Sequence, residues 1–320
     1  MGVNLKNIVQ YRDINIKALS GKVIAVDALN ALYQFVSSIR QSDGAPLMNS
    51  EGALTSHLSG LFYRSITILR NNIKVVYVFD GVPPAQKVEE IAKRKKVKEQ
   101  ARKDWELAKV RGDIEDMAKY AKRTSKITWD MVDDAKELLS AMGIPYVQAP
   151  SEGEAQCAHI VKKDEAWACA SQDYDALLLG VERLIRNLTG TKKELEIVYL
   201  DEVLGTIGIT REQLIDIGIL QGTDFNAGVK GIGPKKALKI VKENKLENLE
   251  LNFNINEIRD IFLKPDVTDD YSLEWSAPDD EQVVGIMCDK YEFSRQRIKN
   301  ALDDLKKSEA VAQKGLGSWF

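Results

Sequence analysis

Cysteine and histidine are both scarce in this chain of 320 residues. It has three cysteines, which follow no metal-binding or disulfide spacing, and only two histidines. Because structural zinc is held by cysteine and histidine, this composition excludes a structural zinc site and fits a reducing, cytosol-like compartment. Serine–histidine catalysis and histidine-rich metal sites are not expected either, since only His57 and His159 are available for them.

Long apolar runs are absent as well. No run approaches the roughly 20 residues that a membrane-spanning helix requires. The chain begins Met-Gly-Val-Asn-Leu-Lys, which lacks the apolar stretch of a secretory signal and places Lys6 where a myristoylation motif has Ser or Thr. With 44% hydrophobic and 29% charged residues, the composition is that of an ordinary globular protein. We expect a cytoplasmic protein without membrane partners.

Positive charge is in slight deficit overall but is concentrated in one segment. The formal net charge is −3, yet residues 87–126 contain fourteen Lys or Arg and eight Asp or Glu, a local net charge of +6 that leaves about −9 for the rest. A concentrated basic patch attracts phosphate backbones whatever the total charge. This segment has few large apolar residues, so we interpret it as a mobile, largely helical excursion over the active site. An ordinary solvated helix or linker is the alternative.

The remaining pattern is that of an α/β protein. Buried strands are predicted at 22–27, 74–80, 144–148, 167–171, 183–187 and 194–199, and helices at 28–39, 54–69, 128–142 and 152–163. From Asp201 onward the pattern is helical, apart from a polar break at 265–280. We therefore expect a central, mostly parallel twisted sheet flanked by helices.

Carboxylates follow the apolar runs at positions spread over two hundred residues. They are Asp27, Asp80, Glu152, Glu154, Asp173, Asp175 and Asp224. Because ligands bind beyond the carboxyl ends of parallel strands, these acids are predicted to meet in one cleft. Crowded carboxylates repel one another unless a cation neutralises them. Hard divalent ions with oxygen ligands, Mg²⁺ or Mn²⁺, meet this requirement, and two such ions suit phosphodiester cleavage.

Ordinary structural roles remain open for each acid taken alone. Glu152 and Glu154 precede an apolar helix, where acids also stabilise the helix N-terminus. Asp173 and Asp175 point the same way if the backbone is extended. A single Asp after a strand is commonly a turn residue, so the metal hypothesis depends on the joint occurrence. We assign Asp80, Glu152, Glu154 and Asp173 as the closest ligands, with the others binding partly through water.

Two further patterns point to nucleic acid. Gly231 and Gly233 form a Gly-x-Gly turn before a helix that carries Lys235 and Lys236, which is similar to the hairpin of a helix-hairpin-helix element. A tight turn before a surface helix is the alternative. Lys87, Lys93 and Arg94 follow Asp80 closely enough to neutralise a scissile phosphate.

Two aromatic features leave their alternatives open. Tyr33 lies six residues past Asp27 and offers a face for a nucleobase, or else belongs to the core. The otherwise polar tail ends in a short motif with large apolar side chains. Its residues are Gln313, Leu316, Trp319 and Phe320. Such anchors are typical of partner sites, although a tail folded against its own protein is the alternative.

The ordered set of motifs resembles the flap endonuclease family across essentially the whole chain. The matching segments are Val-Asp27-Ala-Leu-Asn, Phe-Asp80-Gly-Val-Pro-Pro, Pro-Ser-Glu152-Gly-Glu154-Ala, Ser-Gln-Asp173-Tyr-Asp175, Gly-Thr-Asp224-Phe-Asn and Gly-Ile-Gly-Pro-Lys-Lys. The resemblance implies a PIN-like 5′-nuclease fold, two Mg²⁺ ions per site with Mn²⁺ as a substitute, and cleavage of 5′ flaps. It also implies 5′-exonuclease activity and roles in Okazaki-fragment maturation and DNA repair.

The resemblance assigns further residues. Lys87 and Arg94 match the residues at the base of the family's helical arch that contact the scissile phosphate, and Tyr33 matches an aromatic that stacks near the cleavage site. The four tail residues match the sliding-clamp interaction box. A monovalent cation is implied at 228–233. Because the chain stops at Phe320 without a basic tail, we expect a prokaryotic, archaeal-type enzyme. We also expect it to be nucleoid-associated and monomeric.

The resemblance also divides the single 5′-nuclease domain into parts. These are an N-terminal nuclease part at 1–84, a basic helical arch at 85–127, an internal nuclease part at 128–225, a helix-hairpin-helix and C-terminal helical part at 226–307, and a clamp-binding tail at 308–320. A catalytically idle scaffold for DNA junctions and a phosphatase of small phosphoesters are the competing hypotheses.

Overall fold

The computed structural model describes residues 3–41, 44–111, 113, 116, 120, 126–190 and 194–317. Its described strands are β1 (Arg12–Ile14), β2 (Val23–Asp27), β3 (Lys74–Phe79), β4 (Tyr146–Gln148), β5 (Ala168–Ala170), β6 (Arg183–Arg186) and β7 (Leu195–Tyr199). They form one sheet in the order β1-β7-β6-β5-β2-β3-β4. The pairs among β4, β3, β2, β5 and β6 are parallel, whereas β7 is antiparallel to both β6 and β1. The expected mostly parallel sheet is confirmed.

Helices cover both faces of this sheet. They are α1 (Ala28–Ser38), α2 (Ser56–Arg70), α3 (Val88–Arg111), α4 (Trp129–Ala141), α5 (Gly153–Lys162), α6 (Asp175–Leu178), α7 (Leu200–Ile207), α8 (Arg211–Gln221), α9 (Pro234–Lys242), α10 (Ile255–Leu263), α11 (Asp280–Val284) and α12 (Arg295–Gly317). One apolar core contains side chains of α1, α2, α4 and α12, and a second, on the other face, contains those of α5, α8 and α10. No helix among the described residues combines the length and apolar character needed to cross a membrane.

The position of β2 determines where a ligand site forms. The chain passes from β2 to β3 and β4 on one side, and then returns to β5 on the other side of β2. Such a reversal of strand order opens a crevice beyond the carboxyl ends of the strands. Asp27 is paired in register with Val78, and Val26 with Ala170, so β2, β3 and β5 end close to one another. The acids after these strands therefore share one edge of the sheet.

Three local expectations need correction. The pattern did not reveal β1, because its three residues are exposed or half-buried and carry no apolar signal. It also did not reveal that β7 runs antiparallel. Asp173 and Asp175 do not lie in extended backbone: Asp173 occupies a bend, and α6 begins at Asp175. The two carboxylates are brought together by tertiary packing, and the two-residue spacing does not explain their proximity.

The basic segment starts as a long helix outside the two cores. Lys87 ends a short 3₁₀ turn, and α3 follows from Val88 to Arg111. Val97 is 63% exposed and Val110 is 87% exposed, so the helix does not present an apolar stripe to the sheet. The predicted helical character is confirmed for α3. The mobility of the excursion and the division of the chain into parts remain predictions.

Candidate active site

Seven acids reach the crevice from six different places in the fold. Asp27 ends β2 and caps α1, its Oδ1 accepting a hydrogen bond from Asn30 N at 3.0 Å. Asp80 follows β3, and its Oδ1 accepts from Gly153 N at 2.8 Å, at the start of α5. Glu152 and Glu154 lie at that helix N-terminus. The remaining positions are the bend after β5 for Asp173, the first residue of α6 for Asp175 and the loop after α8 for Asp224.

Gly153 allows the acids of β3 and α5 to approach each other. A Cβ atom at this position would lie 2.6 Å from Asp80 Oδ1 and 3.1 Å from the Val78 carbonyl oxygen. The first of these distances is too short for any side chain, so a larger residue would push Asp80 or α5 away. The glycine between Glu152 and Glu154 is therefore required by the close approach of the two segments.

Burial and mutual repulsion raise the pKa values of the acids. Burial, followed by the charge of Asp80, raises the pKa of Asp27 to about 8. Burial and the charges of Asp27, Asp173 and Asp175 raise the pKa of Glu154 well above its usual range. Burial raises the pKa of Asp175 to about 7, with a further contribution from Asp224. The acids therefore lie close enough to repel one another, and the protein compensates only part of their negative charge.

Lys87 supplies a positive charge inside the cluster. Its Nζ forms an ion pair with Glu152 and lies 3.4 Å from Asp224 Oδ2. Burial lowers the pKa of Lys87, but the carboxylates of Glu152, Asp224 and Asp80 outweigh it and raise that pKa above the ordinary value. In the opposite sense, burial raises the pKa of Glu152, and Lys87 offsets part of this rise. The ammonium group is thus attracted by the carboxylates of Glu152, Asp224 and Asp80.

The donor set suits hard divalent ions, because every candidate ligand is a carboxylate oxygen. Among the described residues, however, no three Asp, Glu, His or Cys side chains are gathered closely enough to hold an ion as they stand. The reason is visible in their partners. Gly153 N donates a hydrogen bond to Asp80, Asn30 Nδ2 donates one to Asp173 at 3.1 Å, and the Lys87 ammonium group forms an ion pair with Glu152.

Sequence patterns missed four residues that position these acids. Asn30 links Asp27 and Asp173, and its Oδ1 accepts from Gln172 N at 3.3 Å. Ser171 Oγ donates to Glu154 at 2.6 Å. Val3 N donates to Asp175 at 2.6 Å, and Gln148 Nε2 donates to the Asp80 carbonyl oxygen at 2.7 Å. Only Asn30 and Ser171 carried a signal, because they adjoin acidic motifs; Val3 and Gln148 act from distant segments.

Tyr33 and the predicted hairpin residues Gly231, Gly233, Lys235 and Lys236 lie on other elements than the acids. Tyr33 is 38% exposed on α1, with Lys98 Nζ 5.3 Å from its ring centre, so it does not belong to the core. Gly231 adopts φ +80°, and Gly233 caps α9, which exposes Lys235 and Lys236. A tight turn therefore precedes α9, and its assignment as a DNA-binding hairpin stays a prediction. The side chains of Lys93 and Arg94 lie outside the described part of the structure.

The tail residues are described only in part. The backbone of Gln313 and Leu316 belongs to α12, but side chains are described only as far as Ser308. Trp319 and Phe320 lie outside the described residues. Their assignment to a partner site stays a prediction.

We expect the raised carboxyl pKa values to make the metal-free fold more stable at lower pH. The ordinary pKa of an aspartate is 3.8, whereas that of Asp27 is about 8 and that of Asp175 about 7 in the fold. As pH rises between these values, the unfolded chain loses protons that the folded chain retains, so the free energy of unfolding falls. Melting temperatures measured with a chelator from about pH 5 to about pH 8 check this.

The matched control is Asp27→Asn, which removes the carboxyl group whose pKa is raised to about 8. In this variant the melting temperature is expected to fall less as pH rises. Saturating divalent ions are expected to stabilise the protein most at the upper end of this pH range, where the acids are ionised. A metal-free melting temperature that rises equally in both proteins with pH would contradict the raised pKa of Asp27.

The fold and the acidic edge together define a class. A mixed sheet between helices, with carboxylates at the ends of its parallel strands, is the PIN-like nuclease fold. A solved structure titled flap endonuclease-1 from Methanococcus jannaschii matches with a TM-score of 0.82 and 42% identity, covering 97% of this chain and 100% of that one. The catalytic core of Rad2 in complex with DNA substrate matches with a TM-score of 0.75 and 26% identity, over 95% of this chain and 100% of that one.

Sequence comparison narrows the class to one family. Residues 1–101 match the XPG N-terminal domain, and residues 143–224 match the XPG I-region. Flap endonuclease 1 of Pyrococcus abyssi is 50% identical over 338 residues, covering 100% of this chain and 98% of that protein. The same enzyme of Methanosarcina barkeri is 46% identical over 339 residues, with full coverage of both. The chain belongs to the flap endonuclease family, whose members are divalent-metal-dependent nucleases.

Proposed function

We propose that this protein is a structure-specific 5′ flap endonuclease, with 5′-exonuclease activity, that hydrolyses DNA phosphodiesters with the help of two divalent ions. The observation that carries the proposal is that seven acids from six places in the fold interact with one another, while Lys87 pairs with two of them, Glu152 and Asp224. Family membership supports the substrate class. Roles in Okazaki-fragment maturation and DNA repair follow from the same assignment.

Mg²⁺ is the proposed ion, with Mn²⁺ as a substitute. Asp80, Glu152, Glu154 and Asp173 would hold the ions most closely, and Asp27, Asp175 and Asp224 would act partly through water. When bound, such ions supply an activated water molecule and stabilise the leaving oxygen. Burial of the acids supports this assignment, because ionised carboxylates in an apolar setting gain most from a cation.

The protein's own groups would orient the DNA. Lys87, at the foot of α3, is placed to turn from Glu152 and Asp224 toward a phosphate that enters the crevice, which would stabilise charge in the transition state. Arg94 is proposed for the same role. Tyr33 offers a partly exposed ring for a base, and Lys93 extends the basic path.

The hairpin before α9 would hold the duplex part of the substrate. Exposed Lys235 and Lys236 and the turn at Gly231 present positive charge and backbone N–H groups to phosphates without selecting bases. A monovalent cation bound at 228–233 is part of the proposal. Selectivity would then come from the bent shape of a branched DNA, which a continuous duplex adopts only at an energetic cost.

A labelled 5′-flap duplex incubated with and without Mg²⁺ tests the function. We expect release of the flap when Mg²⁺ is present and no release when it is absent. Binding without cleavage under all metal conditions would favour the idle junction scaffold. Hydrolysis of a small chromogenic phosphate ester at a comparable rate would favour the phosphatase.

The tail is proposed to bind a sliding clamp, and the protein to act as a monomer. Trp319→Ala combined with Phe320→Ala is expected to abolish stimulation of cleavage by the clamp and to leave clamp-free cleavage unchanged, because aromatic anchors contribute most of the energy at such interfaces. Rates with and without clamp check this. A collapse of clamp-free cleavage in the double variant would indicate that the tail supports the fold.

A further inference from the structure

Trp129 is an exposed tryptophan with no structural task in the core. Its side chain is 76% exposed, although tryptophan is among the most buried residues on average. Trp167 and Trp275 differ from it. Trp275 donates a hydrogen bond to the Val75 carbonyl oxygen at 2.8 Å, and Lys22 and Arg183 lie against the ring of Trp167. No hydrogen bond or ring contact joins the Trp129 side chain to another residue that the structure describes, so its ring can contact a ligand.

The backbone of Trp129 is fixed firmly. It is the first residue of α4, whose N-terminus is capped by Thr128 Oγ1 accepting from Met131 N at 3.3 Å. One face of the helix is buried against α2 and the C-terminal helices through residues that include Val132 and Leu139. An aromatic ring on such a rigid element can bind a flat partner at low entropic cost.

The helix places Trp129 on the side of the sheet that carries the acids. Seven residues later, Lys136 Nζ donates to Gln148 Oε1 at 2.8 Å, and Gln148 Nε2 donates to the Asp80 carbonyl oxygen at 2.7 Å. Seven residues are two helical turns, so Trp129 shares the face of Lys136 and lies about 10 Å further along the axis. Because α4 runs toward the loop before β4, this displacement leads beyond the carboxyl ends of the strands.

The surroundings of Trp129 favour a nucleic acid over an apolar partner. It lies three residues after the end of the basic segment 87–126, which has a local net charge of +6. The other end of that segment starts at Lys87, in the acidic cluster. A single exposed aromatic on an ordinary surface needs no explanation. Here Lys126 is exposed three residues before Trp129, and Lys136 lies on the same face of α4. Positive charge for phosphates therefore flanks a flat apolar face, which is the combination that binds single strands.

We infer that Trp129 is a stacking platform for an unpaired nucleobase of the 5′ single strand. The inference rests on the proposed function, because it takes the flap as the ligand. It adds a contact that neither the acidic motifs nor the hairpin provides. Recognition would be insensitive to base identity, since every base presents a similar face.

The test compares Trp129→Leu with Trp129→Phe, which keep an apolar side chain but differ in aromaticity. Binding is measured in chelator, so that no cleavage occurs, on a 5′-flap duplex and on the same nicked duplex without the flap. We expect Trp129→Leu to weaken flap binding about 10-fold, within the range found for loss of one stacked base, and Trp129→Phe to lose less. Binding of the flap-free duplex should be unchanged in both variants.

A fluorescent base analogue, 2-aminopurine, placed at successive flap positions locates the contact. Wild-type protein should quench it at one or two neighbouring positions, and Trp129→Leu should restore its emission there. Equal flap affinity in wild type and Trp129→Leu, with wild type cleaving the flap, overturns this inference alone. Wild-type protein that neither binds nor cleaves the flap overturns the proposed function as well.

Discussion

Asp173→Asn is expected to abolish cleavage of a 5′-flap duplex while leaving binding of that duplex measurable. Asn30 Nδ2 donates to Asp173 Oδ2 at 3.1 Å, and asparagine keeps the shape of the side chain while removing one negative charge. The variant therefore retains the fold but loses a proposed metal ligand. The turnover should fall by at least about 10³-fold, the upper end of what losing one preorganised stabiliser costs.

The matched control is Asp270→Asn, which removes the same charge from an exposed position in the segment after α10. Cleavage rates and flap affinities of the two variants are measured at several Mg²⁺ concentrations. If Asp173→Asn cleaves as fast as Asp270→Asn, the acids do not work through metal ions and the junction-scaffold hypothesis gains support.

Lys87→Ala should lower turnover by on the order of 10²-fold or more, the scale of losing a preorganised charge stabiliser. In the structure its ammonium group is bound among Glu152 and Asp224, with a side chain only 13% exposed. Water compensates little for the loss of such a buried charge, so removing the ammonium group should lower turnover strongly. Single-turnover rates at saturating enzyme separate this effect from weaker DNA binding.

Lys264→Ala provides the control, since Lys264 is 77% exposed and pairs with Asp260 one turn earlier on the surface of α10. Lys87→Arg should recover part of the rate, because it keeps the charge but not the compact shape. An unchanged single-turnover rate in Lys87→Ala would show that this lysine only neutralises the carboxylates when no metal ion is bound. A metal requirement lowered in that variant would show that its ammonium group competes with the ions.

Much of the fold was accessible from local patterns. The apolar runs of β2, β3 and β5 are buried on both faces of the sheet, so continuous hydrophobicity identified them and their ends to within one or two residues. The three-residue β1 has an exposed, polar pattern and exists only because β7 offers it backbone partners. Pairing of that kind has no local signature.

The sequence by itself determined which acids lie at strand and helix ends, because the end of an apolar run marks the edge of the sheet and the motifs recur in a known order. Only the tertiary structure decided how the acids meet. The reversal of strand order around β2 joins segments far apart in the chain. Val3 holds the carboxylate of Asp175 and Gln148 holds the backbone of Asp80, and neither residue belongs to an acidic motif. Hydrogen bonds between distant segments depend on packing of the whole chain, which is why local composition does not encode them visibly.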